Sequence, residues 1–155
     1  MAKRSLWRLA LLLAAGPCAA LPVDFGDKVT AALLCRSEWS TDFWHGYFSL
    51  HLQKSLRDWG EARWWDGQGA QLGGVTAKEV FTNLPESQAL MVGILIEQPV
   101  EEVRRIVEQN LLVTFHPVLT VDGTRYMNDS ASVMVGLTNQ QTKWYCARWN
   151  LGNRP

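Results

Sequence analysis

The segment that decides the fold is TKWYCARW, residues 142–149, near the C-terminus. Successive side chains of a strand point to opposite faces, so Trp144 and Cys146 share one face while Tyr145 and Trp149 share the other. We predict that this segment is the last strand of a sheet. We also predict that it is joined to an early part of the chain through its cysteine.

The cysteine count favours one disulfide, between Cys35 and Cys146. The chain contains three cysteines, and Cys18 falls in a predicted export signal that is removed. Two cysteines in an exported chain favour a bond, whereas two buried thiols are the alternative. The bond would close a loop of 111 residues, which the loop-entropy model values at about 4–5 kcal/mol.

Residues 1–20 predict a signal peptide. Positive charges near the start precede an apolar run, residues 6–15, that is too short to span a bilayer. Small residues then suit cleavage after Ala20. We therefore expect an exported protein, periplasmic or secreted. A buried N-terminal helix and a retained membrane anchor are the alternatives.

Lipid anchoring at Cys18 is not expected. A bacterial lipoprotein signal requires a small residue directly before the cysteine and an aliphatic residue two places earlier. This chain has Pro17 and Ala15 at those positions, which is a poor match.

The charge that remains after residues 1–20 are removed restricts the class of partner. The remaining chain contains 12 basic and 15 acidic residues, so its net charge is −3. A general nucleic-acid binder needs a basic face that neutralises phosphates, so the charge argues against this class. We expect a single domain over residues 21–150 and a frayed tail over residues 151–155, without a membrane span after cleavage.

Two segments show clear helical periodicity. In residues 40–59, a capping residue at the start is followed by apolar residues at every third or fourth position, up to Leu56 and Trp59. Residues 99–111 begin with a proline and acidic residues, which suit a first turn. A third helix is predicted over residues 29–36, where a short strand is the alternative.

The other patterns predict strands. The apolar run over residues 90–96 suits a strand that is buried on both faces, and we expect it to be central. The dipeptide Asp122-Gly123 predicts a hairpin, and the strand after the second clear helix suggests a crossover unit. Further strands are predicted over residues 62–65, 78–82, 113–116, 118–121, 124–127 and 131–137. We therefore expect an α+β fold, in which an antiparallel-rich sheet is packed by two or three α-helices and holds one disulfide.

No catalytic, cofactor-binding or metal site is predicted. His45 and His51 are six residues apart, about 120° around a helix, whereas a two-ligand metal pair needs both rings on one face. His116 has no companion. The serines and aspartates of residues 122–132 lie in turn contexts, where these residues are common.

Tryptophan usage is the least ordinary feature. The predicted mature chain contains seven tryptophans, and the adjacent pair Trp64 and Trp65 must point to opposite faces of a strand. We take Trp64, Trp65, Tyr145 and Trp149 as the candidate binding surface, since exposed aromatic residues are typical of protein interfaces and of sugar-stacking platforms. The alternative is that the tryptophans fill a thin core.

These features predict a small exported binding protein that recognises another protein, for example an enzyme inhibitor or an immunity-type protein. A cell-wall or carbohydrate-binding module that uses exposed tryptophans is the second hypothesis. A small hydrolase with an unrecognised site around His45 or His116 is the third. None of these hypotheses requires a cofactor.

Overall fold

The computed structural model describes residues 20–149, apart from residues 39, 53 and 88 and the side chain of Trp149. The predicted signal peptide up to residue 19 and the predicted tail over residues 151–155 lie outside the described residues.

Within these residues the chain forms helices and strands in an α+β arrangement, as predicted. The helices are α1 (Phe25–Leu33), α2 (Thr41–His51) and α3 (Val100–Leu111). The strands are β1 (Arg57–Trp59), β2 (Ala62–Asp66), β3 (Gln71–Leu72), β4 (Val75–Thr76), β5 (Glu79–Asn83), β6 (Ala89–Ile96), β7 (His116–Thr120), β8 (Gly123–Met127), β9 (Ser132–Thr138) and β10 (Gln141–Trp149). One antiparallel sheet has the order β1-β2-β5-β6-β10-β9-β8-β7, and β3 and β4 form a separate hairpin. None of the described helices is both long enough and apolar enough to cross a membrane.

The three helices lie on one face of the large sheet. Helix α1 contacts β6 and β10, α2 contacts β5 and β6, and α3 contacts β9 and β10. The main hydrophobic core lies between these layers and contains Trp65, Ile94 and Trp144 from the sheet, all fully buried. Strand β6 is close to the middle of the sheet, which agrees with the predicted central position of its apolar run.

Strand β10 is the second central strand, and it carries the disulfide. It pairs with β6 and β9, so that Trp144 lies between Ile94 and Met134. Cys146 is bonded to Cys35, which follows α1, and their Cα atoms are 5.3 Å apart. This confirms the predicted link between the C-terminal strand and the N-terminal part of the fold.

A buried hydroxyl group connects α1 to the two strands beneath it. Ser132 Oγ accepts a hydrogen bond from Trp144 Nε1 at 2.8 Å and donates one to the Leu33 carbonyl at 2.5 Å. Ser132 is completely buried. Because water does not reach this position, the indole N–H group and the helix carbonyl both depend on this one side chain.

Helix α2 ends at His51, so the predicted helix over residues 40–59 is wrong in its second half. Its start is as expected, because the Ser40 side chain accepts a hydrogen bond from the backbone of the first turn. Leu56 and Trp59 continue the apolar spacing, but they are 51% and 66% exposed. The chain instead forms β1, which pairs with β2. Pairing with a neighbouring strand has outweighed a local helical pattern.

The connection through α3 is a crossover between two parallel strands of one sheet, as predicted, but these strands are not neighbours. The strand after α3 begins at His116 rather than at residue 113. It runs parallel to β6, but three strands lie between them in the sheet. Helix α3 therefore carries the chain across the helix-covered face to the far edge, where β7 and β8 form the hairpin predicted at Asp122-Gly123.

The glycine-rich stretch before β5 contains the small hairpin β3–β4. Its turn residues Gly73 and Gly74 both have positive φ, 60° and 91°. A Cβ atom at Gly74 would also overlap the Asn110 side chain of α3. Both the backbone conformation and the close approach of α3 therefore require glycine.

Candidate functional site

The second face of the large sheet carries no helix in the part of the chain that the structure describes, and we call it the open face. A hydrophobic cluster, separate from the main core, lies on it. An antiparallel sheet with one solvated face usually presents polar side chains there, so an apolar cluster is unusual. The strand registers place on this face Arg57, Trp59, Trp64, Phe81, Met91, Leu95, Lys143 and Tyr145.

Two stacked rings form the centre of the open face. The ring centroids of Trp64 and Phe81 are 4.3 Å apart, and the ring planes differ by 28°. Phe81 lies over Gly93 of β6, where a Cβ atom would overlap the end of the ring. Trp64 is 3% exposed and Phe81 is 0% exposed. The two rings therefore form a base on which neighbouring side chains pack, and they are not accessible for a ligand to stack on.

Lys143 lies on top of this base. Its Nζ atom is 4.6 Å from the ring centroid of Phe81, 5.3 Å from that of Tyr145 and 5.8 Å from that of Trp64. Lys143 forms no ion pair with any described carboxylate. Burial lowers the pKa of Lys143 below its ordinary value. A cation that is held on rings and has lost part of its hydration favours an anionic neighbour.

Trp59 is an exposed aromatic residue at the edge of the open face. Its ring centroid is 6.0 Å from that of Trp64, and its carbonyl accepts a hydrogen bond from Trp64 Nε1 at 3.2 Å. Arg57 in the same strand forms two hydrogen bonds with Glu79 and lies 5.0 Å from the Trp64 ring. These contacts hold the edge strand β1 against the sheet, and they leave the Trp59 side chain exposed to solvent.

A cavity of about 710 Å³ opens at one end of the sheet, and we call it the terminal cavity. The β1–β2 turn, the loop between β5 and β6, and the end of β10 form its walls. Its lining includes Glu61, Asn83, Leu84, Glu86 and Met91. The terminal cavity is continuous with the open face, because Met91 also contacts the open-face cluster.

The structure brings together only part of the predicted binding surface. Trp64 and Tyr145 lie on the open face, on β2 and β10. Trp65 lies on the opposite face, 1% exposed under α2. It is not accessible to a partner while the helix layer is in place, which corrects its assignment to the surface. The backbone of Trp149 ends β10, and its side chain lies outside the described atoms.

The predicted site residues did not include Trp59, Phe81 or Lys143, which lie on the open face. Trp59 was assigned to a helix, and Phe81 was recognised only as part of a strand. The signal that could have found Phe81 is Gly93, since a glycine inside an apolar strand marks the close approach of a neighbour. Side chains alternate between the two faces of a strand, so Lys143 and Tyr145 share one face of β10. This alternation could have placed Lys143 in the candidate surface.

The histidines occupy ordinary structural positions. His45 Nε2 is 3.1 Å from Arg63 Nη1, and the His51 ring lies edge-on to Tyr47 at 4.6 Å. His116 is exposed on the edge strand β7. Among the described residues, no hydrogen bond joins a histidine to a carboxylate, and no cluster of potential metal ligands occurs.

Comparison of the chain with protein-family models, with curated proteins and with solved structures finds no match. Function is therefore inferred from the chemistry of the open face and the terminal cavity.

Proposed function

We propose that this chain is an exported binding protein whose open face recognises another protein. The observation that carries the proposal is an aromatic cluster with the exposed Trp59 at its edge, on a sheet face that no described helix covers. Tryptophan, tyrosine and arginine dominate the binding energy of protein interfaces, and apolar patches on a protein surface mark sites of interaction. An enzyme inhibitor or an immunity-type protein would be a protein of this kind.

Two observations support export. The Cys35–Cys146 disulfide is of a kind that persists in oxidising compartments, such as the periplasm and the extracellular medium. Residues 1–20 have the charge and apolar pattern of a signal peptide.

The charges of the open face favour a partner with an acidic side chain. Arg57 and Arg125 on this face are paired with Glu79 and Asp122. Lys143, by contrast, has no acidic partner among the described residues. A carboxylate from the partner would complete the environment of Lys143 and would fix the register of the two proteins.

The same lysine argues against a dimer built on the open face. An isologous interface brings equivalent patches together around a two-fold axis. In such a dimer with its two-fold axis near Lys143, which lies on a central strand of the sheet, the two copies of this lysine would lie close together. We therefore propose a different protein as the partner.

The experiment is affinity capture from envelope and secreted fractions with the mature protein and its variants. We expect one stoichiometric partner for the wild type, and loss of that partner in Trp59→Ser and in Lys143→Glu. Leu50→Ser is the matched control, because Leu50 is 78% exposed on α2, on the helix side of the sheet. This control should retain the partner.

Capture that is retained by both open-face variants would contradict the proposal, as would equal loss in the control. Binding to peptidoglycan or polysaccharide that depends on Trp59 would support the carbohydrate-binding alternative instead. A stacking platform made of Trp64 and Trp65 does not fit the structure, since both rings are buried.

A further inference from the structure

The terminal cavity has the size and the walls of a ligand site. Its volume of about 710 Å³ is within the range of roughly 300–1,000 Å³ that is typical of such sites. Gly60, Ala89 and Ala147 contribute little volume to its lining, whereas Leu84 and Met91 provide apolar contact. This combination suits an extended aliphatic chain with a polar group at its end.

The charge of the cavity is negative. Glu61 and Glu86 line it, and neither forms an ion pair with a described residue. The one described cation of the lining, Arg148, donates a hydrogen bond to the Cys35 carbonyl. Two carboxylates are therefore available to a cationic ligand.

No described cation forms an ion pair with either carboxylate. Arg63, which Glu86 attracts electrostatically, donates two hydrogen bonds to Asp58, at 2.7 and 2.8 Å. Its guanidinium group is therefore already engaged by another carboxylate.

A buried amide beside the cavity has an unpaired oxygen. Asn83 is 2% exposed and lines the cavity, and its Oδ1 atom has no hydrogen-bond partner. Its Nδ2 atom donates to Ser87 Oγ at 3.1 Å. Reversal of the amide would leave the nitrogen unpaired instead, so the site lacks a partner in either orientation. In the observed orientation the missing partner is a hydrogen-bond donor.

We propose that the terminal cavity binds the side chain of an arginine, with its aliphatic part against Leu84 and Met91 and its guanidinium group toward Glu61 and Glu86. Arginine has five N–H donors in a planar arrangement, enough to pair with both carboxylates, whereas lysine has three donors on one atom. The bearer of this arginine is the protein that occupies the open face, and this last step rests on the proposed function.

The test uses a blocked arginine, N-acetyl-arginine N-methylamide, as the probe in a titration of the mature protein followed by NMR. We expect weak saturable binding that shifts the backbone signals of Ala89 and Ala147 and the side-chain amide signals of Asn83. Blocked norleucine, which has a similar stem without the charge, should bind at least about tenfold more weakly, since the charged hydrogen bonds are absent.

Variants assign the binding to the carboxylates. Glu61→Gln/Glu86→Gln should weaken arginine binding by about tenfold or more, and both positions are exposed, so the fold is retained. Glu102→Gln/Asp129→Asn removes two exposed charges elsewhere and should leave binding unchanged. Equal binding of the two probes, no binding, or an unaffected glutamine variant would overturn the proposal.

The same titration separates this inference from the proposed function. Trp59→Ser alters the open face but not the cavity, so it should bind the arginine probe as the wild type does. Arginine binding without capture of any protein would overturn the open-face function alone. Capture without arginine binding would overturn the cavity proposal alone.

Discussion

Phe81 lies over Gly93, its register partner on the neighbouring strand, and covers the position that a side chain would occupy. This contact lets the ring rest against the backbone of β6. Trp64 then stacks on Phe81, and Lys143 lies above both rings. The aromatic cluster of the open face is thus buried by its own members, without a covering helix.

Gly93→Ala should destabilise the protein by about 1–3 kcal/mol, because the added methyl group forces the Phe81 ring out of its place. Urea unfolding measures this change. Gly46→Ala is the control, since a Cβ atom at this exposed position of α2 has no neighbour within 4 Å. It should stabilise the protein by about 0.5–1 kcal/mol through helix propensity. Equal stability of the two variants would contradict the proposed packing.

Ser132→Ala should cost about 1–3 kcal/mol, because it leaves the indole N–H group of Trp144 and the carbonyl of Leu33 buried without partners. The free energy of unfolding of this variant can be compared with that of Ser49→Ala. Ser49 is exposed in α2, so its replacement should be neutral or slightly stabilising. A neutral Ser132→Ala variant would show that the two groups find other partners.

Loss of the disulfide should lower stability by about 4–5 kcal/mol, the value that the loop-entropy model assigns to the 111-residue separation of Cys35 and Cys146. Cys146→Ala and chemical reduction should give similar losses in urea unfolding. Mass spectrometry of the exported protein should show a chain that begins at Leu21 and contains this link. A free thiol at either position would refute it.

The stability of the protein should respond to pH through Lys143. Burial lowers the pKa of this side chain in the folded state from its ordinary value of 10.5. Between the lowered value and 10.5 the unfolded chain binds more protons, so stability from this group rises with pH in that interval. Lys143→Met removes the buried charge, and its stability advantage over the wild type should decline as pH rises toward 10.5.

Unfolding in urea at neutral pH and at several higher pH values measures this advantage. Lys54→Met is the matched control, because Lys54 is exposed and its replacement should change stability by less than about 0.5 kcal/mol. A constant difference between Lys143→Met and the wild type at all pH values would argue against a buried charge at this position.

The features that were predicted correctly from the sequence have local signals. Alternation along residues 142–149 was sufficient for β10, and the apolar run of residues 90–96 was sufficient for β6, because side-chain direction in a strand depends on position alone. The disulfide was predicted from the even cysteine count that remains once the predicted export signal is removed.

The features that were missed depend on distant parts of the chain. The apolar spacing that ends at Trp59 is helical in period, but β2 offers this segment a pairing partner. The strand after α3 similarly reaches the far edge of the sheet, because β8, β9 and β10 occupy the positions between it and β6. No local pattern encodes which strand is available as a neighbour.

The adjacent pair Trp64 and Trp65 separates the two kinds of information. The sequence by itself determined that these side chains point to opposite faces of one strand, since neighbouring residues of a strand must do so. Only the tertiary structure decided that Trp65 enters the main core and that Trp64 supports the open face. That choice depends on the side of the sheet on which the three helices pack, and their position is set by contacts between residues far apart in the chain.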